Sequence, residues 1–273
     1  MATIHEVLSI ERIEDDIFRG SAPDTTLQRT FGGQVAAQAL VAAVRTVGAC
    51  FTVHSLHGYF IRPGRPTVPP VYLVERVRDG RSFATRRVTV VQQGKAIFSM
   101  SASFHVGDEG PGHQDEMPPV PGPEHLADGA DSNGEAAAWY VREWPNWDIR
   151  QVPPDGTARR PGAAAQQQVW IRYRRPLPDD PVFHICTLAY LSDMTLLGAA
   201  RVPHPDARTQ GASLDHALWF LRPFRADDWL LYDQTSPSAG SGRALTQGRI
   251  FDRAGHLVAA VVQEGLMRTV REP

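Results

Sequence analysis

A tandem repeat constrains this chain more than any other feature. The stretch from Ser213 to Gly265 repeats the layout of His54 to Phe104 in different residues. Phe60-Ile61-Arg62-Pro63 returns 160 residues later as Phe220-Leu221-Arg222-Pro223, and the turn glycine Gly94 returns 161 residues later as Gly255. Two long stretches in register to within one residue do not match by accident. Each copy reads as an aromatic strand ending at Arg-Pro, a second strand, a Gly-Arg turn and a two-strand hairpin. The 273 residues therefore divide into two similar halves, each long enough to bury a core.

Ahead of the strands in the first half, Val35, Ala39, Leu40, Ala43, Val44 and Val47 recur at helical spacing behind Phe31-Gly32-Gly33-Gln34, and Gly48 supplies the stop. In the second half Asp180-Pro181 opens FHICTLAYLSDMTLLGAA, apolar nearly all round and so predicted as a buried helix. In the first hairpin Phe98, Met100, Ala102 and Phe104 alternate with Ser99, Ser101 and Ser103, which gives the sheet one apolar face. A helix followed by several antiparallel strands, twice over, is an α+β arrangement in which a curved sheet wraps a helix. Residues 106–138 carry GDEGPGHQDEMPPVPGPEHLADGADSNGE, too rich in Pro, Gly and acids to build a core, and read as a linker. The predicted division is an N-terminal unit at 1–105, this linker at 106–138, and a C-terminal unit at 139–273 whose opening is marked by Trp139, Trp144 and Trp147.

The formal net charge of −2 and the scattered basic residues argue against a nucleic-acid surface. Cys50 and Cys186 cannot build a disulfide framework and lack ligand spacing. The N-terminus is mixed and acidic rather than basic then apolar, and no run of about 18 apolar residues occurs. A soluble cytoplasmic protein without membrane insertion is expected.

The chemistry shows where the copies differ. Asp193 falls inside the predicted second helix, and a buried carboxylate there demands either a structural partner or a function. Gln263 stands at the place of Ala102, on a face otherwise held by Ala259, Val261 and Gly265. Ser213 stands at the place of Val53, and Asp193 at that of Gly33. An acid, a hydroxyl and an amide, all belonging to the second copy, point to a general base acting on water. Hydrolysis is the reaction class this favours. A serine nucleophile would need a base, and His216 lies along the same strand on the opposite face. His54 and His57 also alternate faces, which argues against zinc, and all three histidines are assigned core or interface roles. The Gly32-Gly33 pair lacks a P-loop lysine and a GxGxxG frame, so close packing is its first assignment.

The segments FGGQVAAQAL, VHSLHGYFIRPG, LAYLSD, LDHALWFLRPF and VVQEGLMR resemble the type II acyl-CoA thioesterases, chains of two fused hotdog domains. The resemblance implies a double hotdog fold and release of a fatty acid and free CoA from fatty acyl-CoA, with no cofactor. It implies that Asp193, Ser213 and Gln263 jointly activate the attacking water; serine stands here where the family usually has threonine. The repeat itself predicts a catalytically silent first half, since Gly33, Val53 and Ala102 cannot handle a proton; that half would contribute acyl-tunnel and CoA surface, with Gly32, Gly33, Arg62, Arg81 and Arg87 as candidate substrate-binding residues. A homo-oligomer, dimer or tetramer, is expected as well. Two other readings stay open: a hotdog enoyl-CoA hydratase, which would need an Asp/His pair in a motif not found here, and a non-catalytic acyl-CoA-binding protein.

Overall fold

The computed structural model describes residues 2–127, 142–156 and 160–270. Trp139 and the predicted boundary at 138–139 lie outside them. Helix α1 (Ile4–Leu8) opens the chain behind a capping box in which Thr3 and Glu6 satisfy each other's backbone N–H groups. Strands β1 (Glu11–Glu14) and β2 (Ile17–Arg19) lead to helix α2 (Gly32–Val44), followed by β3 (Thr52–Phe60), β4 (Val71–Asp79), β5 (Phe83–Gln92) and β6 (Lys95–His105). Further along come β7 (Trp147–Gln151), β8 (Gln166–Tyr173), helix α3 (Pro181–Leu191) and a 3-10 helix (Leu196–Arg201). The last strands are β9 (Thr209–Ser213), β10 (Asp215–Phe220), β11 (Leu230–Gly240), β12 (Arg243–Asp252) and β13 (Leu257–Thr269).

These elements form two compact units that are discontinuous in sequence. The first comprises Met1–His113, Val182–Met194 and Asp215–Phe220; the second comprises Gln114–Pro181, Thr195–Leu214 and Leu221–Pro273. In the first, an antiparallel sheet in the order β1-β2-β4-β5-β6-β3-β10 packs on α2. Val35, Ala36, Ala37, Ala39, Leu40, Ala42 and Ala43 of that helix are buried, and short alanine side chains let sheet and helix approach closely. Phe98, Met100, Ala102 and Phe104 are buried as the alternation predicts. Arg86, also buried, donates to the hydroxyl and the carbonyl of Thr46 just past the end of α2 and pairs with Asp79 at 2.5 Å. A buried guanidinium persists only when its donors are satisfied in this way.

In the second unit the sheet runs β7-β8-β11-β12-β13, with β9 on β13. The predicted long second helix is corrected here. Helix α3 ends at Leu191 and from Val182 onward belongs to the first unit, while the short 3-10 helix Leu196–Arg201 packs against β8, β11, β12 and β13. Asp193 lies between the two, in a turn rather than inside a helix, and is half-buried. The segment Pro181–Arg201 has the length and hydropathy to cross a membrane, but 67% of its 18-residue apolar window is buried in the protein, as in a core helix.

The repeat is realised bond by bond. Ile61 N–H donates to Ile97 O at 2.8 Å and Arg62 Nη1 to Ala96 O at 2.8 Å; in the second copy Leu221 N–H donates to Val258 O at 2.8 Å and Arg222 Nη1 to Leu257 O at 2.8 Å. Both turn glycines adopt left-handed backbone, Gly94 at φ 73° and Gly255 at φ 87°, where a Cβ would be strained.

Much of the predicted linker is docked onto the second unit. Gln114 donates to Gly255 O and accepts from Leu257 N–H, Asp115 pairs with Arg249 at 2.8 Å, and Pro121 O accepts from Trp170 Nε1 at 2.9 Å. Met117, Val120 and Leu126 pack on a buried cluster of Val152, Trp170, Trp229, Leu231 and Phe251. Prolines and acids cannot make a core of their own, but three apolar side chains spaced along an extended strap suffice to cover one.

Candidate active site

Gln263 comes from β13, where inward and outward residues alternate, and its side chain is fully buried. Ser213 ends β9, pairs across from Gly265, and is half-buried. Gln263 Nε2 donates to Ser213 Oγ at 2.5 Å. The amide thereby holds the half-buried hydroxyl, and the buried Gln263 gains a partner that a buried amide needs. The strand breaks directly after Ser213, because Leu214 N–H turns to Glu264 O before β10 begins. In the first copy the corresponding strand stays whole but shifts register between Val53 and Ser55. Such irregularities re-aim side chains and gather beside active sites.

Asp193 sits in the first unit. A Cβ built on Gly32 would lie 2.6 Å from its Oδ2, so the carboxylate lies directly over the first residue of α2. Phe31 caps that helix without a side-chain bond. Backbone N–H groups at a helix start carry partial positive charge and suit a carboxylate or a developing oxyanion. Gly33 is glycine for a different reason: a Cβ there would collide with Tyr190 O and the Phe31 ring. The glycine pair thus serves close packing, with Gly32 the member that makes room for the acid.

The structure brings Ser213 and Gln263 together in one unit and sets Asp193 against Gly32 in the other. The remaining candidates are dispersed on the first unit. Arg62 is exposed and spends a donor on Ala96 O, as its repeat partner Arg222 does on Leu257 O. Arg87 is exposed and pairs with Glu75 at 3.1 Å, and Arg81 is exposed beside the β4–β5 turn. In the first copy the places of the acid, hydroxyl and amide are held by Gly33, Val53 and Ala102, and the position across from Ala102 is filled by Arg86.

Two polar pairs flanking Asp193 escaped the sequence reading. Ser192 Oγ and His216 Nε2 are 2.8 Å apart and both residues are buried. Two residues after the acid, Thr195 is held by Gln234, whose Nε2 donates to Thr195 Oγ1 at 2.5 Å, and by Gln167, whose Nε2 donates to Thr195 O at 3.0 Å. The repeat offset carried the signal, since Gln234 stands where the first copy has Val74 and His216 where it has Leu56. His54 instead bonds Ser103 Oγ at 2.9 Å, its imidazole held below the usual range first by burial and then by His105, and His57 meets the edge of Trp219. Among the described residues no group of three or more His, Cys, Asp or Glu could hold a metal ion.

Two tandem repeats, each with an antiparallel sheet packed on helical structure, define a double hotdog protein. Residues 142–266 match the family model described as acyl-CoA thioesterase, and residues 21–105 match the acyl-CoA thioesterase N-terminal domain. The chain is 40% identical to acyl-coenzyme A thioesterase 8 of Mus musculus over 97% of this chain and 88% of that one. It is 35% identical to acyl-CoA thioesterase 2 of Haemophilus influenzae over 96% of each. Among solved structures, the acyl-CoA thioesterase II TesB2 from Mycobacterium marinum is 57% identical, with a TM-score of 0.89 over 98% of this chain and 99% of that one. A hot dog fold protein from Alicyclobacillus acidocaldarius shares the fold at 21% identity and a TM-score of 0.81, covering 99% of this chain and 100% of that one. The chain belongs to the type II acyl-CoA thioesterase family.

Proposed function

We propose that this protein hydrolyses fatty acyl-CoA to a free fatty acid and CoA through a water activated by Asp193, with Ser213 and Gln263 orienting that water. Acyl-CoA thioester hydrolysis follows from the family; the roles of the three residues are the proposal. The observation that carries it is the Gln263–Ser213 hydrogen bond, a fixed amide–hydroxyl pair at two positions that are apolar in the first copy. In the step, water gives a proton to the Asp193 carboxylate as its oxygen bonds to the thioester carbon; collapse of the tetrahedral intermediate expels the CoA thiolate, which takes up the proton. Backbone N–H groups at the start of α2, Gly32 and Gly33, are suited to the oxyanion. No metal or organic cofactor enters this scheme.

Release of free thiol from palmitoyl-CoA, followed with a thiol reagent, tests the activity and separates it from hydration of an enoyl-CoA and from binding without turnover. Ser213→Ala should slow turnover by less than loss of the acid does, because a water can replace one hydrogen bond. Ser213→Thr keeps the hydroxyl and should run near the parent rate. An acyl-enzyme trapped at Ser213 would overturn the activated-water scheme in favour of a serine nucleophile.

The first half is read as catalytically silent, completing the fold and lending surface to acyl chain and CoA, with Arg62, Arg81 and Arg87 as candidate phosphate partners. The division at 1–105, 106–138 and 139–273 is kept as the boundary between a silent repeat, its join and the repeat that carries the hydroxyl, the amide and the acid. A cytoplasmic homo-oligomer without membrane insertion fits this reading. Tyr59, Ile61, Leu73, Val77 and Phe83 of the first unit are large, apolar and exposed, the kind of surface a second copy covers. Light scattering at micromolar concentration should show a particle of at least twice the 30.1 kDa chain; a clean monomer counts against it.

A further inference from the structure

The turn that carries Asp193 is pinned on both sides by buried polar contacts that exist only in the second copy. On the near side, Ser192 Oγ donates to Ala189 O at 3.0 Å, closing the end of α3. The same hydroxyl lies 2.8 Å from His216 Nε2, so the two side chains share a hydrogen bond. Ser192 is 0% and His216 1% exposed, so the bond is shielded from bulk solvent. On the far side, Gln234, 0% exposed, donates to Thr195 Oγ1 and accepts from Gln167 Nε2 at 2.6 Å, while Gln167 also donates to Thr195 O. These three residues close a ring of hydrogen bonds around the chain two residues past the acid.

At the repeat offset of 160, Ser192, Thr195, His216 and Gln234 stand where the first copy has Gly32, Val35, Leu56 and Val74. Val35 is 3%, Leu56 0% and Val74 9% exposed, so apolar packing satisfies the same places in the half that has no acid. A fold that tolerates Leu and Val there does not need His and Gln for stability. Buried polar pairs cost desolvation and return geometric uniqueness when fully satisfied. Here the uniqueness falls on the residues either side of Asp193.

We propose that His216 and Gln234 are positioning residues of the thioesterase site: His216 through Ser192, and Gln234 through Thr195, fix the turn that presents Asp193. This rests on the reading of Asp193 as general base. Misplacing a catalytic group by about 1 Å can cost about 10²-fold. His216→Leu and Gln234→Val, which install the first-copy residues, should each lower kcat by about 10- to 100-fold with KM for palmitoyl-CoA held within about twofold. His216→Gln, whose side-chain amide can donate to Ser192, should recover most of the rate. Ser192→Ala should match His216→Leu, and the double variant should be no slower than either, because the two act through one bond. These smaller changes keep the test open if His216→Leu proves insoluble. An unchanged kcat in soluble His216→Leu, a loss that His216→Gln does not recover, or additive losses in the double variant would overturn the proposal. Asp193→Asn measured alongside separates the two levels: if it stays active, the base assignment itself fails; if it is dead while His216→Leu is fully active, only the positioning role fails.

Discussion

Asp193→Asn is expected to give a folded, soluble protein that releases CoA thiol from palmitoyl-CoA about 10²- to 10⁴-fold more slowly than the parent, the range for loss of a general base. Asparagine is nearly isosteric, and the space that Gly32 leaves beside Oδ2 accepts an amide nitrogen as readily as an oxygen. The substitution therefore removes proton acceptance and negative charge with little change of shape. The loss should fall on kcat, because the carboxylate's task arises only as water attacks. Near-parent turnover in a soluble variant would remove Asp193 from the mechanism. The converse experiment should also fail: Gly33→Asp with Val53→Ser and Ala102→Gln should create no second site. A Cβ at Gly33 strikes Tyr190 O and Phe31, and Arg86 already fills the place opposite Ala102.

Residues 1–113 expressed alone are expected not to fold. This fragment looks like a complete first repeat, yet its compact unit also needs Val182–Met194 and Asp215–Phe220. Without β10, strand β3 loses its partner along Ser55 to Tyr59 and becomes an open edge. Leu56, now fully buried and opposite Leu218, would lose that neighbour, and without α3 the wall formed by Tyr190 O against Gly33 is missing. A fully buried leucine contributes about 1.5–3 kcal/mol, so losing several such contacts exceeds the margin of a small domain. Circular dichroism and gel filtration should show an aggregated or unstructured chain. A monomeric fragment with a cooperative thermal transition would refute the prediction.

Much of this was legible in the sequence because a repeat supplies its own internal control. The hairpin of β5 and β6, the start of α3 at Pro181 and the inward face of Gln263 follow from alternation, capping and offset, all of which are local. Asp193, Ser213 and Gln263 could be picked out because each replaces a glycine or an apolar residue of the other copy. The placement of Asp193 was not legible. FHICTLAYLSDMTLLGAA is apolar throughout, and hydrophobic pattern alone cannot reveal that a helix stops at Leu191, turns, and resumes as a 3-10 helix in a different unit. Ser192–His216 and Thr195–Gln234 were missed because serine, threonine, glutamine and histidine acquire meaning only from partners 24 and 39 residues away. Composition likewise marked residues 106–138 as incapable of a core, without revealing whose core 117–126 would cover.

That strap bears on how a fused repeat can change over time. A tether that merely kept two copies near each other could lengthen, shorten or be cut with little effect. Here the join lies over Trp170, Leu231 and Phe251 and is fastened by Arg249–Asp115 and Arg253–Glu124. A cut within 114–126 would loosen that cover and bare an apolar face, whereas a cut before Gln114 would leave it in place. The connecting segment therefore serves two ends at once: residues 114–126 are part of one copy's hydrophobic interior, and only the stretch ahead of them is left to lengthen or shorten as a plain tether would.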